Sequence, residues 1–226
     1  MTDAAQEISK LWRIVAVGAG SVMEIRALQP KGLPGSRSPV VRHFRQGNYP
    51  DTEAFKRDVE RSALQLNEDG YNVYVVMNPI RPDFAGPGSV SDKDIRYRDL
   101  LLVDIDRAGH ATEPASQPEL DAAKSLAYQV RDYMASRGCR PPVMVMSGNG
   151  YHLYYVLEGF DNTDESTAAV AATLRNLAKT FNNDVVEIDT SVYNASRITK
   201  VPGTVMRKGV ATEERPYRMA VVCDEE

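Results

Sequence analysis

The run Leu100-Leu101-Leu102-Val103-Asp104-Ile105-Asp106 is apolar and ends in two carboxylates one residue apart. On a strand, successive side chains alternate between faces, so Asp104 and Asp106 would stand side by side while Ile105 turns into the core. Adjacent anions repel unless a positive charge sits between them. A divalent cation answers that need, because Mg²⁺ and Mn²⁺ take hard carboxylate oxygens. The plain alternative is a solvated turn after a buried strand.

Three further stretches hold residues suited to the same chemistry. In Ser147-Gly148-Asn149-Gly150-Tyr151-His152, two glycines let backbone N–H groups approach an anion closely, and His152 can donate to a phosphate oxygen. A simple turn and a structural histidine are the competing reading. Val185-Val186-Glu187-Ile188-Asp189 is a second strand-like run ending in an acid. Beside Asp104 it would bring a third ligand, and three carboxylates can hold two cations ~3.5–4 Å apart for phosphoryl transfer. Alone, Asp189 reads equally as a cap for the next turn. Ser196-Arg197-Ile198-Thr199-Lys200-Val201-Pro202-Gly203-Thr204 then sets Arg197 and Lys200 where a triphosphate would need positive charge, or forms a solvated basic loop.

Hydrophobic periodicity supplies the elements that position these groups. Strands are expected over 21–28, 40–44, 71–78, 100–106, 143–146, 151–157, 185–188 and 217–222, with 147–150 as an Asn-Gly type hairpin turn. Asp51 caps a helix expected to run to Leu66. A longer helix over 118–136 carries Leu120, Ala123, Ala127, Val130 and Met134 on one stripe and ends at Gly138, and another spans 164–181. The stretches 30–50 and 189–203 read as loops. Gly18-Ala19-Gly20 lacks the strand-turn-helix setting of a dinucleotide site and reads as a turn. Hairpins with two long helices point to an α+β fold, an antiparallel sheet with helices packed on one face.

Composition narrows the class. The chain has 226 residues, 42% hydrophobic and 26% charged, enough for one substantial core. Cys139 and Cys223 have no C-x-x-C partner, so neither a disulfide framework nor a zinc site is expected. No run has the length of a membrane span or the form of a signal peptide, which implies a cytoplasmic protein. A formal net charge of −4 does not by itself suggest a nucleic-acid binder. Basic residues nevertheless gather at Arg37, Arg42, His43 and Arg45, and at Arg96, Arg98 and Arg107.

Taken jointly and in this order, Asp-x-Asp, Ser-Gly-x-Gly-x-His, a strand ending in Asp, then Arg and Pro-Gly-Thr resemble the archaeo-eukaryotic primase (AEP) superfamily. The likeness extends over residues 71–204 and is greatest to primase-polymerases of phages, plasmids and other mobile or defence-associated elements. It implies one catalytic domain over 1–226, with an N-terminal αβ module to about residue 90 and an RRM-like catalytic module from about residue 91. It further implies a template-directed nucleotidyltransferase that extends a primer 3′-hydroxyl on single-stranded DNA with NTPs or dNTPs. Asp104, Asp106 and Asp189 would hold two Mg²⁺ or Mn²⁺ ions. Ser147, Gly148, Asn149, Gly150 and His152, with Arg197 and Lys200, would contact the nucleotide, and Tyr151 and Asn194 are added as further nucleotide contacts. The cysteine cluster of several superfamily members is missing. The acidic end Asp224-Glu225-Glu226 is compatible with a piece cut from a longer protein, so a helicase or C-terminal primase domain, fused or separate, is an expected partner.

Two rival classes stay open at this point. A metal-dependent nuclease or rolling-circle initiator can use a related sheet, but initiators need a His-hydrophobe-His pair and His152-Leu153-Tyr154 has one histidine. A non-catalytic single-stranded nucleic-acid binder would instead stack bases on exposed aromatics such as Tyr154 or Tyr97.

Overall fold

The computed structural model describes residues 3–35, 37–109 and 112–223; the acidic end at 224–226 lies outside them. Two antiparallel sheets carry the chain. The first has the strand order β2-β1-β3-β8, built from β1 (Val22–Leu28), β2 (Val40–Arg45), β3 (Asn72–Val76) and β8 (Ile198–Lys200). The second has the order β11-β5-β6-β4-β7, from β4 (Tyr97–Arg107), β5 (Val143–Met146), β6 (Tyr151–Asp161), β7 (Val186–Ile188) and β11 (Val221–Val222). A short hairpin joins β9 (Val205–Met206) to β10 (Arg218–Met219). This is the expected α+β architecture.

Among the described residues four α-helices complete it: α1 (Ala4–Ile8), α2 (Thr52–Glu68), α3 (Gln117–Ser136) and α4 (Asp164–Phe181). Each long helix begins where a side chain satisfies its free N–H groups. Asp51 accepts from Ala54 N at 2.6 Å, Ser116 forms a capping box with Glu119, and Thr163 forms one with Ser166. Gly138, at φ 84°, takes the left-handed position after α3 that a side chain would resist. The stripe Leu120, Ala123, Ala127, Val130 and Met134 is buried, and α3 packs across β4, β6 and β7 with α4 beside it on β7. Both long helices therefore cover one face of the second sheet.

The other face of that sheet meets the first sheet. Tyr154 on β6 and Thr199 on β8 share a buried hydrogen bond through their hydroxyls, and one hydrophobic cluster runs from Leu11, Ile25 and Phe55 to Leu102, Leu126 and Leu174. β8 is the main departure from the sequence expectation, which left 189–203 as a loop. Three residues are too few to show a period; Ile198-Thr199-Lys200 becomes a strand because β3 offers it an open edge, with Tyr74 opposite Lys200 and Val76 opposite Ile198. The chain thus returns to the first sheet well past the expected module boundary near residue 90. The expected single strand at 217–222 is split, β10 pairing with β9 and β11 with β5, because Ala220 between them bonds instead to Thr204 and Gly203.

Candidate active site

Strand alternation places the acid pair as expected. β4 presents Asp104 and Asp106 to the cleft between the sheets, while Ile105 is buried among the core residues. The β4–β6 register sets Asp104 directly opposite His152, and His152 Nε2 lies 3.3 Å from Asp104 Oδ1. Beyond that contact Asp104 Oδ1 is buried with no hydrogen-bond donor, although the Asp104 side chain as a whole stays 21% exposed to the cleft. His152 is held from behind: its Nδ1 lies 2.8 Å from the Tyr154 hydroxyl and 3.3 Å from Thr199 Oγ1.

The two carboxyls are pushed in opposite directions. Burial would raise Asp104, but the His152 ring, then Arg197 and Lys208, hold it below the usual carboxylate range. Asp106 is pushed up to about 6, first by burial and then by the charge on Asp104, with Asp189 adding to it. Burial opposes a charged His152, yet Asp104 and then Asp106 hold its imidazolium above the ordinary value. Tyr74, across the cleft, is raised by burial and then by both acids.

Two cavities open at this pair. One of about 330 Å³ is lined by Asp104, Asp106, Ser147, Asn149, His152, Arg197, Lys200, Arg207 and Lys208, with Leu28, Tyr74, Leu102 and Met206 as apolar wall. The other, about 770 Å³, is lined by Asp106, Asn149, Asn182, Glu187, Asp189, Ser191 and Lys208. Both lie in the size range of small-ligand sites, ~300–1,000 Å³. Lys200 is 2% exposed; burial and then Arg207 push its ammonium well below the ordinary lysine value. It donates to Val205 O at 3.2 Å and sits over the Tyr74 ring. Such a buried cation without a carboxylate partner suits an anionic ligand.

The turn between β5 and β6 bears on the same cleft. Ser147 N donates to Gly150 O at 2.9 Å, but the left-handed residue is Gly148, at φ 108°, and neither Asn149 nor Gly150 has positive φ. This is not the Asn-Gly turn expected, in which both of those residues would be left-handed. The physical reason is that Asn149 is held elsewhere, its Oδ1 accepting from Ala115 N at 2.9 Å. Gly150 is required for a different reason: a β-carbon there would overlap the Ile105 carbonyl oxygen and Asp106 Oδ1.

Solved structures share this fold. The AEP domain of the cyanophage S-2L primase-polymerase superposes with a TM-score of 0.54 at 16% identity, covering 97% of this chain and 89% of that one. Primase RepB′ gives 0.52 at 16% identity over 98% of this chain, which spans 56% of RepB′. The polymerase domain of Mycobacterium tuberculosis Ligase D, solved in complex with DNA, gives 0.50 at 17% identity over 96% of this chain and 79% of that one. No protein-family model and no curated protein sequence matches the chain. The chain has the AEP primase-polymerase fold.

Within the AEP fold, the expected residues divide into two groups. Asp104, Asp106, Ser147, Asn149, His152, Arg197 and Lys200 line one cavity, with Gly148 and Gly150 shaping its turn. Asp189 lines the adjoining cavity with Asp106; its backbone N donates to Asp104 O at 2.9 Å, and its own Oδ1 accepts from Ser191 N at 2.7 Å. Among the described residues, no three His, Cys, Asp or Glu side chains already converge as a metal cage. The donor set nevertheless fits a divalent cation, since Asp104 Oδ1 has no partner beyond the His152 ring and Asp106 is driven towards protonation by burial and by the neighbouring Asp104.

Two expected contacts are not brought to the cleft. Tyr151 points to the opposite face of the sheet, in the core under α3, with Tyr128 and Asp121 near its hydroxyl. Asn194 lines neither cavity and bonds to Ser196 Oγ at 3.3 Å. Most members of the two basic clusters hold the fold, although Arg107 also lines the wider cavity. Arg98 is buried, donating to Tyr193 O and Thr167 Oγ1, Arg107 pairs with Glu119, and Arg42, Arg45 and Arg37 bond to Ser62, Phe84 O and Asp69 O. Conversely Lys31, Tyr74, Arg207 and Lys208 face the cleft without having been singled out. Arg207 and Lys208 lie in a stretch with no periodic signal and Lys31 in an irregular loop, while Tyr74 reads only as an ordinary strand residue.

Proposed function

We propose that this chain is a template-directed nucleotidyltransferase, a primase-polymerase that adds nucleotides to a primer 3′-hydroxyl on single-stranded DNA. The observation that carries this reading is the half-buried Asp104–Asp106 pair, backed by His152, at the head of a cavity whose wall carries Lys31, Arg197, Lys200, Arg207 and Lys208. These basic side chains outnumber the two carboxylates, and the Arg197, Lys200 and Arg207 group is the part of the wall that a triphosphate tail complements. Asp104, Asp106 and Asp189 would hold Mg²⁺ or Mn²⁺. When bound, the metal supplies charge neutralisation on the triphosphate and acidifies the attacking hydroxyl.

The protein's own groups do the rest. Tyr154 and Thr199 keep the His152 ring oriented so that Nε2 faces the cavity and donates to a phosphate oxygen once a nucleotide displaces its contact with Asp104. Arg197 and Lys200 seat the β- and γ-phosphates, and the apolar wall of Leu28, Tyr74, Leu102 and Met206 excludes water around the nucleoside. The wider cavity beside Asp189 receives the end of the growing strand. The cytoplasm, where nucleotides and single-stranded DNA meet, is the setting this activity requires. A helicase or C-terminal primase domain is the partner class that would supply unwound template or help to start a chain.

The decisive experiment is primer extension and primer synthesis on single-stranded DNA with NTPs and dNTPs in separate reactions. The wild type incorporates nucleotides in the presence of Mg²⁺ or Mn²⁺, and the double variant D104A/D106A, still folded by circular dichroism, does not. Full activity of that variant would sink the reading; strand cleavage without nucleotides would favour the nuclease. Of the two aromatics a binding module would use for stacking, Tyr154 is 1% exposed and hydrogen-bonded to His152, while the half-buried Tyr97 lies under Arg96.

A further inference from the structure

Among the described residues, the two cavities share four wall residues: Lys31, Asp106, Asn149 and Lys208. A nucleotidyl transfer joins two reactants at one phosphorus atom. If each cavity takes one reactant, as the function proposed above requires, that phosphorus lies where the cavities touch.

The junction is rigidly built on the side facing Asp106. Gly209 N donates to Lys31 O at 2.7 Å, and Arg207 is held through both backbone groups by the Asn72 side chain, at 2.8 and 2.7 Å. Lys208 is therefore pinned by the residues before and after it. Gly32 packs so closely that a β-carbon would lie 2.8 Å from Thr112 O, which locks the loop carrying Lys31 against 112. Yet among the described residues neither the Lys31 nor the Lys208 ammonium makes a hydrogen bond or direct ion pair. The Asn149 Oδ1 is fixed by a backbone N–H, so its Nδ2 end is turned the other way; that nitrogen is buried and has no acceptor. A buried donor left unpaired is costly, and Asn149 Nδ2 is such a donor; the exposed Lys31 and the half-buried Lys208 add positive charge at the same junction, beside the Asp106 carboxylate, and the three together suit an anion there.

We propose that Lys31, Lys208 and Asn149 are catalytic residues of the transfer, their N–H groups binding the non-bridging oxygens of the α-phosphoryl group as it passes between the cavities. In that step the 3′-hydroxyl oxygen forms a bond to the α-phosphorus. The bond from that phosphorus to the bridging oxygen breaks, its electron pair leaves with pyrophosphate, and the hydroxyl proton goes to solvent. Charge spreads over the equatorial oxygens in the transition state, so donors fixed there act more strongly on the rate than on ground-state binding.

The test separates rate from affinity. In K31M and K208M, single-turnover incorporation falls ~10-fold or more while the nucleotide dissociation constant, measured by calorimetry with Mn²⁺, changes less than ~3-fold. N149A behaves in the same way, and K31R and K208R, which keep charge and donor, retain most of the rate even if a Met variant melts early. Weaker nucleotide binding at an unchanged rate would make these residues clamps on the triphosphate tail and overturn the inference. So would no change in either quantity, or Arg variants as slow as Met. If the wild type itself incorporates nothing, it is the proposed function that has failed, a result distinct from all of these.

Discussion

Asp106 shows how one carboxyl can carry both a functional and an energetic signature. Burial and the neighbouring Asp104 raise it to about 6 from 3.8, so the fold favours its protonated form. For a raised acid, the contribution to stability is fully present below the unfolded value and is lost as pH rises towards about 6. Without divalent metal, D106N is therefore more stable than the wild type at pH 7, by up to ~3 kcal/mol, and the gap closes towards pH 4. Added Mn²⁺ narrows the gap at pH 7 by stabilising only the wild type, and its affinity declines below about pH 6 as the proton competes. Thermal melts across pH with and without metal check this; a pH-independent gap would remove Asp106 from the site. Gly150 makes a second prediction, because a methyl group there meets Ile105 O and Asp106 Oδ1. G150A costs ~1–3 kcal/mol, lowering the melting temperature by several degrees, and it abolishes incorporation by displacing the acid. Wild-type activity in G150A would show that Asp106 tolerates displacement.

At the scale of elements, the first turn of α3 does more than start a helix. Glu119 closes its capping box on Ser116 N at 2.8 Å and also takes Arg107, from the end of β4, at 3.0 Å and Arg215, from the chain after β9, at 2.7 Å. Three distant segments are thereby tied beside the candidate active site. The Arg215 hydrogen bond is the largest of the effects that hold the Glu119 carboxyl down at about 2, against 4.5 when free. A depressed acid contributes stability above its unfolded value, and that contribution drains away as pH falls from about 4.5 towards about 2. E119Q is expected to melt a few degrees below the wild type at neutral pH and at nearly the same temperature near pH 2–3. Equal melting temperatures at pH 7 would show that the clasp is dispensable, as many exposed ion pairs are.

At the scale of the whole molecule, the two sheets are interlocked rather than apposed. β8 leaves the second-sheet side to complete the first sheet, Tyr154 and Thr199 bond across the gap, and one hydrophobic cluster joins them. Both sheets should unfold together. Trp12, the one tryptophan, packs on the first-sheet side against Glu60, so its fluorescence and the near-ultraviolet dichroism of the tyrosines on β6 report on opposite halves. Their denaturation curves are expected to coincide, and two separated transitions would instead establish two independent units. What the sequence by itself determined is what depends on neighbours in the chain. The period of a strand set Asp104 beside Asp106, the Asp51 cap set the start of α2, and a Gly-rich turn set His152 on a returning strand. The same period-2 rule already excluded Tyr151, which cannot share a face with His152. Only the tertiary structure decided the rest. β8 exists because β3 had a free edge, Asp189 approaches Asp106 because β7 pairs with β4, and Lys31 and Lys208 meet because loops from the two ends of the chain lock backbone to backbone, contacts that no local pattern of residues encodes.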